Sequence, residues 1–296
     1  MSNPTLSWDL ISDIRQLLSF PFMVNALEAG TIVALLASAV GWYMVLRRQT
    51  FAGHTLSVMA FPGAAGASLV GAPAALGYYI ACPLAALAIG RSTGRQQRGR
   101  SEESAAIGTV QAAALAAGFL FLSLYKGVLG GLESLLFGTF LGVSRGQVLI
   151  LALIALGTLG ALAFAGRPLL FASLDPQTAR ARGIPVHVLD IGFLVVLGFT
   201  VAATSQITGA LLVFALLVTP AATALTLTVR PALSLLLTVV FALLVTWVGL
   251  GFAYFSVYPV GFFVTSTAFA LYALANLSRI PVFRASRRTQ PRGTAG

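Results

Sequence analysis

So apolar a chain leaves few side chains able to do chemistry. His54 opens an apolar run at Phe51-Ala-Gly-His-Thr-Leu-Ser57, with Ser57 and Val58 about one helical turn further along the same side. Neutral imidazole is the commonest side-chain ligand for zinc and suits several other transition metals. A lone histidine in this position serves equally as a hydrogen-bonded packing residue. Glu28, about two turns into the first apolar run, reads as the only acid inside these runs. Ion-coupled carriers keep such groups within their spans, but a single acid also fits a structural or mouth-lining place. Pro62 and Pro220 interrupt two further runs. The carbonyls that a proline frees must line a cavity or find other donors, although the neighbouring Gly63, Gly66, Ala221 and Ala224 also suit close helix packing. No Gly-x-x-x-x-Gly-Lys-Ser/Thr phosphate loop occurs, and the only lysine is Lys126. No paired acids or ligand cluster suggests catalysis, so no catalytic residue is assigned. The one cysteine, Cys82, excludes an intrachain disulfide.

The elements holding these residues are apolar helices. Of the 296 residues 58% are hydrophobic and 9% charged, against about a quarter charged in ordinary soluble proteins. Runs of roughly 20 apolar residues, enough to cross about 30 Å of hydrocarbon, recur along the chain. They are apolar all round rather than alternating, which excludes a β-barrel. The fold class is all-α, a polytopic transmembrane bundle of eight to nine spans. The candidate spans are 22–46, 55–70, 73–90, 105–125, 147–165, 188–203, 209–228, 232–255 and 259–277, with 126–146 and 209–228 reading as possible re-entrant or broken helices. Residues 1–21 form an amphipathic segment with apolar residues at Leu6, Leu10, Ile14, Leu17 and Leu18. With Asp9 and Asp13 and no basic start, this is a poor signal peptide. Residues 22–277 are the transmembrane domain, and residues 278–296 read as a basic, disordered tail.

The net charge of +10 does not indicate nucleic-acid binding, because most arginines flank apolar runs, where they meet anionic lipid headgroups. With nine spans and the N-terminus outside, only Arg15, Lys126 and Arg145 of the eighteen Lys and Arg residues fall outside. The positive-inside rule therefore places the C-terminus in the cytoplasm. It places the connector 171–187 there too. That connector is punctuated as a short helix: Asp175 as N-cap, Pro176 at the first helical position, Gly183 as a left-handed end and Pro185 as a stop. So short a helix is unstable alone. It reads as a knob that becomes ordered against a partner, and a transporter with no motor of its own needs one.

Four blocks of this sequence resemble the permease subunits of zinc and manganese ABC importers. They are Leu46-Arg-Arg with Phe51-Ala-Gly-His-Thr-Leu-Ser57 and Pro62-Gly63; Leu136-Phe137-Gly138 with Leu141-Gly-Val-Ser144; Asp175-Pro-x-x-Ala179-Arg180-x-x-Gly183-Ile184-Pro185; and Gly209 through Ala224 with Thr219-Pro220. They occur in the family's order over about 22–277. The resemblance implies a homodimer in a prokaryotic plasma membrane, a cytoplasmic ATPase that binds ATP and magnesium, and an extracellular metal-binding protein. It implies no cofactor in this chain, zinc or manganese as cargo, and 175–185 as the coupling helix. Family members place an acid or histidine at the position of His54 and a histidine four residues on; here that second position is Val58. Two expectations compete with a metal-ion importer: an ABC permease for a metal chelate or other small solute, and a secondary carrier coupled to protons through Glu28 and His54.

Overall fold

The computed structural model describes residues 10–93, 100–125, 135–136, 138, 140–256 and 258–288, and among them there is no strand. The helices are α1 (Leu10–Leu18), α2 (Pro21–Leu46), α3 (Thr50–Leu69), α4 (Ala74–Thr93), α5 (Arg100–Leu124), α6 (Arg145–Leu174), α7 (Pro176–Ala181), α8 (Val186–Thr208), α9 (Ala210–Leu227), α10 (Pro231–Tyr254) and α11 (Val260–Arg288). A 3-10 turn, Phe140–Gly142, precedes α6. Among the described residues seven helices (α2, α4, α5, α6, α8, α10 and α11) are long and apolar enough to cross a membrane, and α9 supplies a shorter apolar helix. The 20-residue α3 carries His54, Thr55, Ser57 and Ser68. The bundle is thus the many-spanned all-α fold that the hydropathy pattern implies.

Helix α2 is the axis of the bundle. It packs on α1, α6, α8, α9, α10 and the 3-10 turn, and it buries residues around most of its circumference, from Met23 to Met44. Small residues make that possible. A Cβ on Gly41 would lie 2.9 Å from the carbonyl carbon of Leu217 and 3.1 Å from its Cα, so α2 and α9 touch backbone to backbone. The same holds between α3 and α4, where a Cβ on Gly77 would lie 2.6 Å from the carbonyl carbon of Gly63. Without a hydrophobic drive between spans, close approach of this kind supplies much of the packing energy. Gly41→Val should therefore force two main chains apart and lower the detergent-solubilised melting temperature, at a cost of about 1–3 kcal/mol or more. Gly157→Val, where an added Cβ meets nothing within 4 Å, should leave it nearly unchanged. Equal melting of the two variants would contradict the close-contact account.

Three sequence expectations need correction. Helix α6 does not end near Ala165 but runs on to Leu174, with Pro168 inside it. Leu169 and Ala172 are buried there, and their packing outweighs the one hydrogen bond that the proline removes. Pro62 and Pro220 lie inside continuous helices, so 209–228 is not a broken segment. Each proline only leaves the carbonyl four residues earlier, of Val58 and of Leu216, without its helical donor. The tail read as disordered from 278 is helical as far as Arg288, with Pro281 inside the helix. Of the proposed re-entrant stretch, 126–134, 137 and 139 lie outside the described residues. In helix α1 Leu17 is buried, whereas Ile14 and Leu18 are exposed.

Candidate functional site

The first candidate lies at the end of the bundle where α6 hands over to α8. Asp175 closes α6, its N–H donating to the Phe171 carbonyl at 3.0 Å, and opens α7, its carboxylate accepting from the Thr178 N–H at 3.0 Å and from the Thr178 hydroxyl. These bonds, the hydroxyl's first, hold the Asp175 carboxyl below the usual carboxylate range. At the other end Gly183 has φ +77°. The Ile184 N–H donates to the Ala179 carbonyl at 3.1 Å and the Gly183 N–H to the Arg180 carbonyl at 2.9 Å, the pair of bonds of a Schellman motif. Pro185 then sits at the N-cap of α8. Ala179 is fully buried in a small cluster with Ala172 and Val186, backed by Phe171, Ile184 and Leu189. Asp175, Pro176, Arg180, Gly183 and Pro185 are exposed. A six-residue helix is thus pinned on one side, and its other side is a polar surface.

The second candidate is the first half of α3. His54 is exposed one turn into the helix, with its ring edge-on to Phe214 of α9 at 5.0 Å between centroids. Ser57 is turned inward, 2% exposed, and its hydroxyl donates to the Gly53 carbonyl at 2.9 Å. It therefore does not share the open face of His54. Thr55, also buried, accepts from Gln111 of α5 at 2.8 Å. Val58, the half-buried residue one turn beyond His54, brings no donor atom to that face from its side chain. No group of three or more His, Cys, Asp or Glu side chains that could hold a metal ion occurs among the described residues. One chain presents one exposed imidazole here.

Glu28 belongs elsewhere. It lines an apolar groove with Ile14, Leu17, Thr31, Val148 and Trp247, between α1, α2, α6 and α10, with no residue of α3. The geometry thus gives no shared site to Glu28 and His54, and the proton-coupled reading loses its pair. Nor is Glu28 the only acid within an apolar helix. Asp190 lies inside α8 and forms an ion pair with Arg47. Sequence reasoning missed it because Asp190 stands near the helix start and its partner is more than a hundred residues away. The available signal was an Arg and an Asp at the ends of two runs that the topology brings to the same side. The remaining blocks meet at the opposite turn. Gly138 and Gly209, both at positive φ (+81° and +77°), lie backbone against backbone: a Cβ on Gly138 would meet the Gly209 nitrogen at 2.7 Å.

The family model "ABC 3 transport family" matches residues 19–278. The chain belongs to that family. It is a permease subunit, the membrane part of an ABC transporter, and ATP hydrolysis belongs to a separate subunit. The permease is 33% identical over 275 residues to the manganese transport system membrane protein MntC of Halalkalibacterium halodurans, a match covering 93% of this chain and 91% of that one. It is 31% identical over 270 residues to the chelated iron transport system membrane protein YfeC of Yersinia pestis, covering 91% and 88%. Its fold superposes on PsaBC from Streptococcus pneumoniae, solved in complex with Fab, with a TM-score of 0.78 at 27% identity, over 90% of this chain and 95% of that chain. All four blocks singled out in the permease lie within the matched span.

Proposed function

We propose that this permease forms the membrane path of an ATP-driven importer for a divalent transition-metal ion. The observation that carries the reading is near-full-length similarity to a manganese transport membrane protein, in a chain whose exposed His54 stands edge-on to Phe214 of α9. Zinc and manganese are the two cargoes that the sequence suggests, and the relative's name moves manganese ahead. One imidazole per chain is too few for a tight site, since zinc usually takes four ligands. A second permease protomer, contributing its own His54, doubles the set, and a permeating ion must in any case leave.

In this reading the N-terminus is outside and the C-terminus and α7 are cytoplasmic. The protein is multi-pass in the plasma membrane, and its arginines sit against anionic lipid. An extracellular binding protein delivers the ion. A cytoplasmic ATPase, holding ATP and magnesium, receives α7 through Asp175, Pro176, Ala179, Arg180, Gly183, Ile184 and Pro185, with Ala179 as the buried anchor. Closure of the ATPase moves α7, and the spans rock around the path past His54, Pro62 and Pro220. A second reading, a metal chelate as cargo, is favoured by Val58 at the apolar second position and by the name of the iron relative.

The test is ATP hydrolysis by the complete complex in proteoliposomes, supplied with manganese, zinc or ferrous iron. Stimulation by a free ion, manganese foremost, is expected. Stimulation only by a chelate would replace the first reading with the second. Uptake without ATP would overturn both.

A further inference from the structure

One largely buried charge belongs to neither candidate site. The side chain of Arg47, the residue that caps the end of α2, is 6% exposed. Its guanidinium pairs with Asp190 of α8, donates to the Ser173 hydroxyl of α6 at 2.9 Å and to the Leu169 carbonyl at 3.5 Å, and lies 5.4 Å from the centre of the Phe193 ring. One turn earlier, the Tyr43 hydroxyl donates to the Gly166 carbonyl of α6 at 3.2 Å. The last turn of α2 is therefore tied to the end of α6 and the beginning of α8. Those are the two helices that flank α7 and hold its Ala179 between Ala172 and Val186.

The other side of the same turn leads to α3. Only Arg47, Arg48 and Gln49 separate α2 from α3. The corner is tight: Arg48 has φ +57°, a conformation side chains avoid, and the Gln49 N–H donates to the Met44 carbonyl at 2.9 Å. The fully buried Met44 lies directly against Gly53, leaving no space for a Cβ there, and Gly53 immediately precedes His54. A continuous set of packed groups thus runs from α7 through the ends of α6 and α8 to Arg47, and from there through Met44 to the base of His54. A rigid fork such as guanidinium suits this junction, because it binds two helices at once with fixed geometry. Its Nε has no acceptor among the described residues.

We propose that Arg47, held by Asp190 and Ser173, is the positioning residue that carries displacement of α7 to the α2–α3 corner and so to the helix bearing His54. The inference rests on the reading of α7 as the ATPase-docking segment. Its job is transmission: neither Arg47 nor Asp190 touches cargo or nucleotide.

The experiment uses the complete transporter in proteoliposomes and compares wild type with Asp190→Asn, Asp190→Glu and Arg47→Gln/Asp190→Asn. The double variant removes both charges, leaves no unpaired buried charge, and keeps the test readable where the single neutral variant assembles poorly. Two quantities are read: ATP hydrolysed per ion imported, and nucleotide-dependent spin-label distances, one pair reporting on α7 and another on α3. In D190N and in the double variant, α7 is expected to move as in wild type while α3 moves less, and the ATP cost per ion rises roughly tenfold. D190E should recover most of the coupling. Wild-type stoichiometry in the double variant would overturn the proposal, as would loss of complex yield and ATPase rate together at unchanged stoichiometry, the signature of a merely structural clamp. An α7 that stays still on nucleotide binding in wild type would remove the docking reading itself, and this inference with it.

Discussion

Gly183→Val should leave ATP hydrolysis running while ion import falls about five- to thirty-fold. Gly183 sits at φ +77° with nothing within 4 Å of an added Cβ, so the substitution meets no neighbour and acts through the backbone alone. Forcing a residue with a Cβ into the left-handed region costs roughly 1–2 kcal/mol, and most for a β-branched one. A cost of that size shifts a local equilibrium by about the factor just given. The Schellman bonds from Ile184 to Ala179 and from Gly183 to Arg180 depend on that conformation, so the strain unwinds the end of α7 that faces the proposed partner. Since a six-residue helix holds little stability of its own, it cannot absorb the loss. Gly183→Asn, which tolerates the left-handed region better, should retain most of the transport. The measurement is ATP turnover against ion uptake in the same vesicles. Normal stoichiometry in the valine variant would remove α7 from the coupling path.

His54→Ala should lower import of the free ion by at least about tenfold, while the variant still co-purifies with the ATPase. Even groups that only orient a metal ligand change affinity by about 10–100-fold when lost, and this variant removes the proposed ligand itself. Folding should be little affected, because the ring is exposed and its one close aromatic neighbour is Phe214 at 5.0 Å. Val58→His gives a complementary result. Residues four apart on a helix share a face, so the variant places two imidazoles together and should bind zinc more tightly yet release it more slowly. Uptake of the free ion at wild-type rate in His54→Ala would reduce His54 to a packing residue. Import of a chelate blocked by Val58→His, with the free ion unaffected, would favour the second cargo.

How much of this was legible in the sequence varies by element. Long all-round apolar runs imply transmembrane helices, because a lipid-embedded backbone has no other way to satisfy its own polar groups except a closed barrel. The caps of α7 were equally plain: Asp175, Pro176 and Gly183 each act on the adjacent backbone through a local rule. Where local rules compete with packing, the sequence misleads. The span read as 147–165 runs on past Pro168, because buried Leu169 and Ala172 carry α6 to Leu174. Ser57 looked like a companion of His54, yet it bonds to its own helix and faces inward.

The sequence by itself thus determined the class of fold, its many-spanned character and the form of the short helix at 176–181, since all of these follow from interactions within a few residues. Tertiary structure alone decided which polar groups meet. It parted Glu28 from His54, joined Arg47 to Asp190 across more than a hundred residues, and set Gly41 against Leu217. The physical reason is that helix periodicity fixes which face a residue occupies on its own helix, whereas its partners depend on which helices become neighbours. That choice is made by the fit of small residues at crossings between helices, and no local pattern records it.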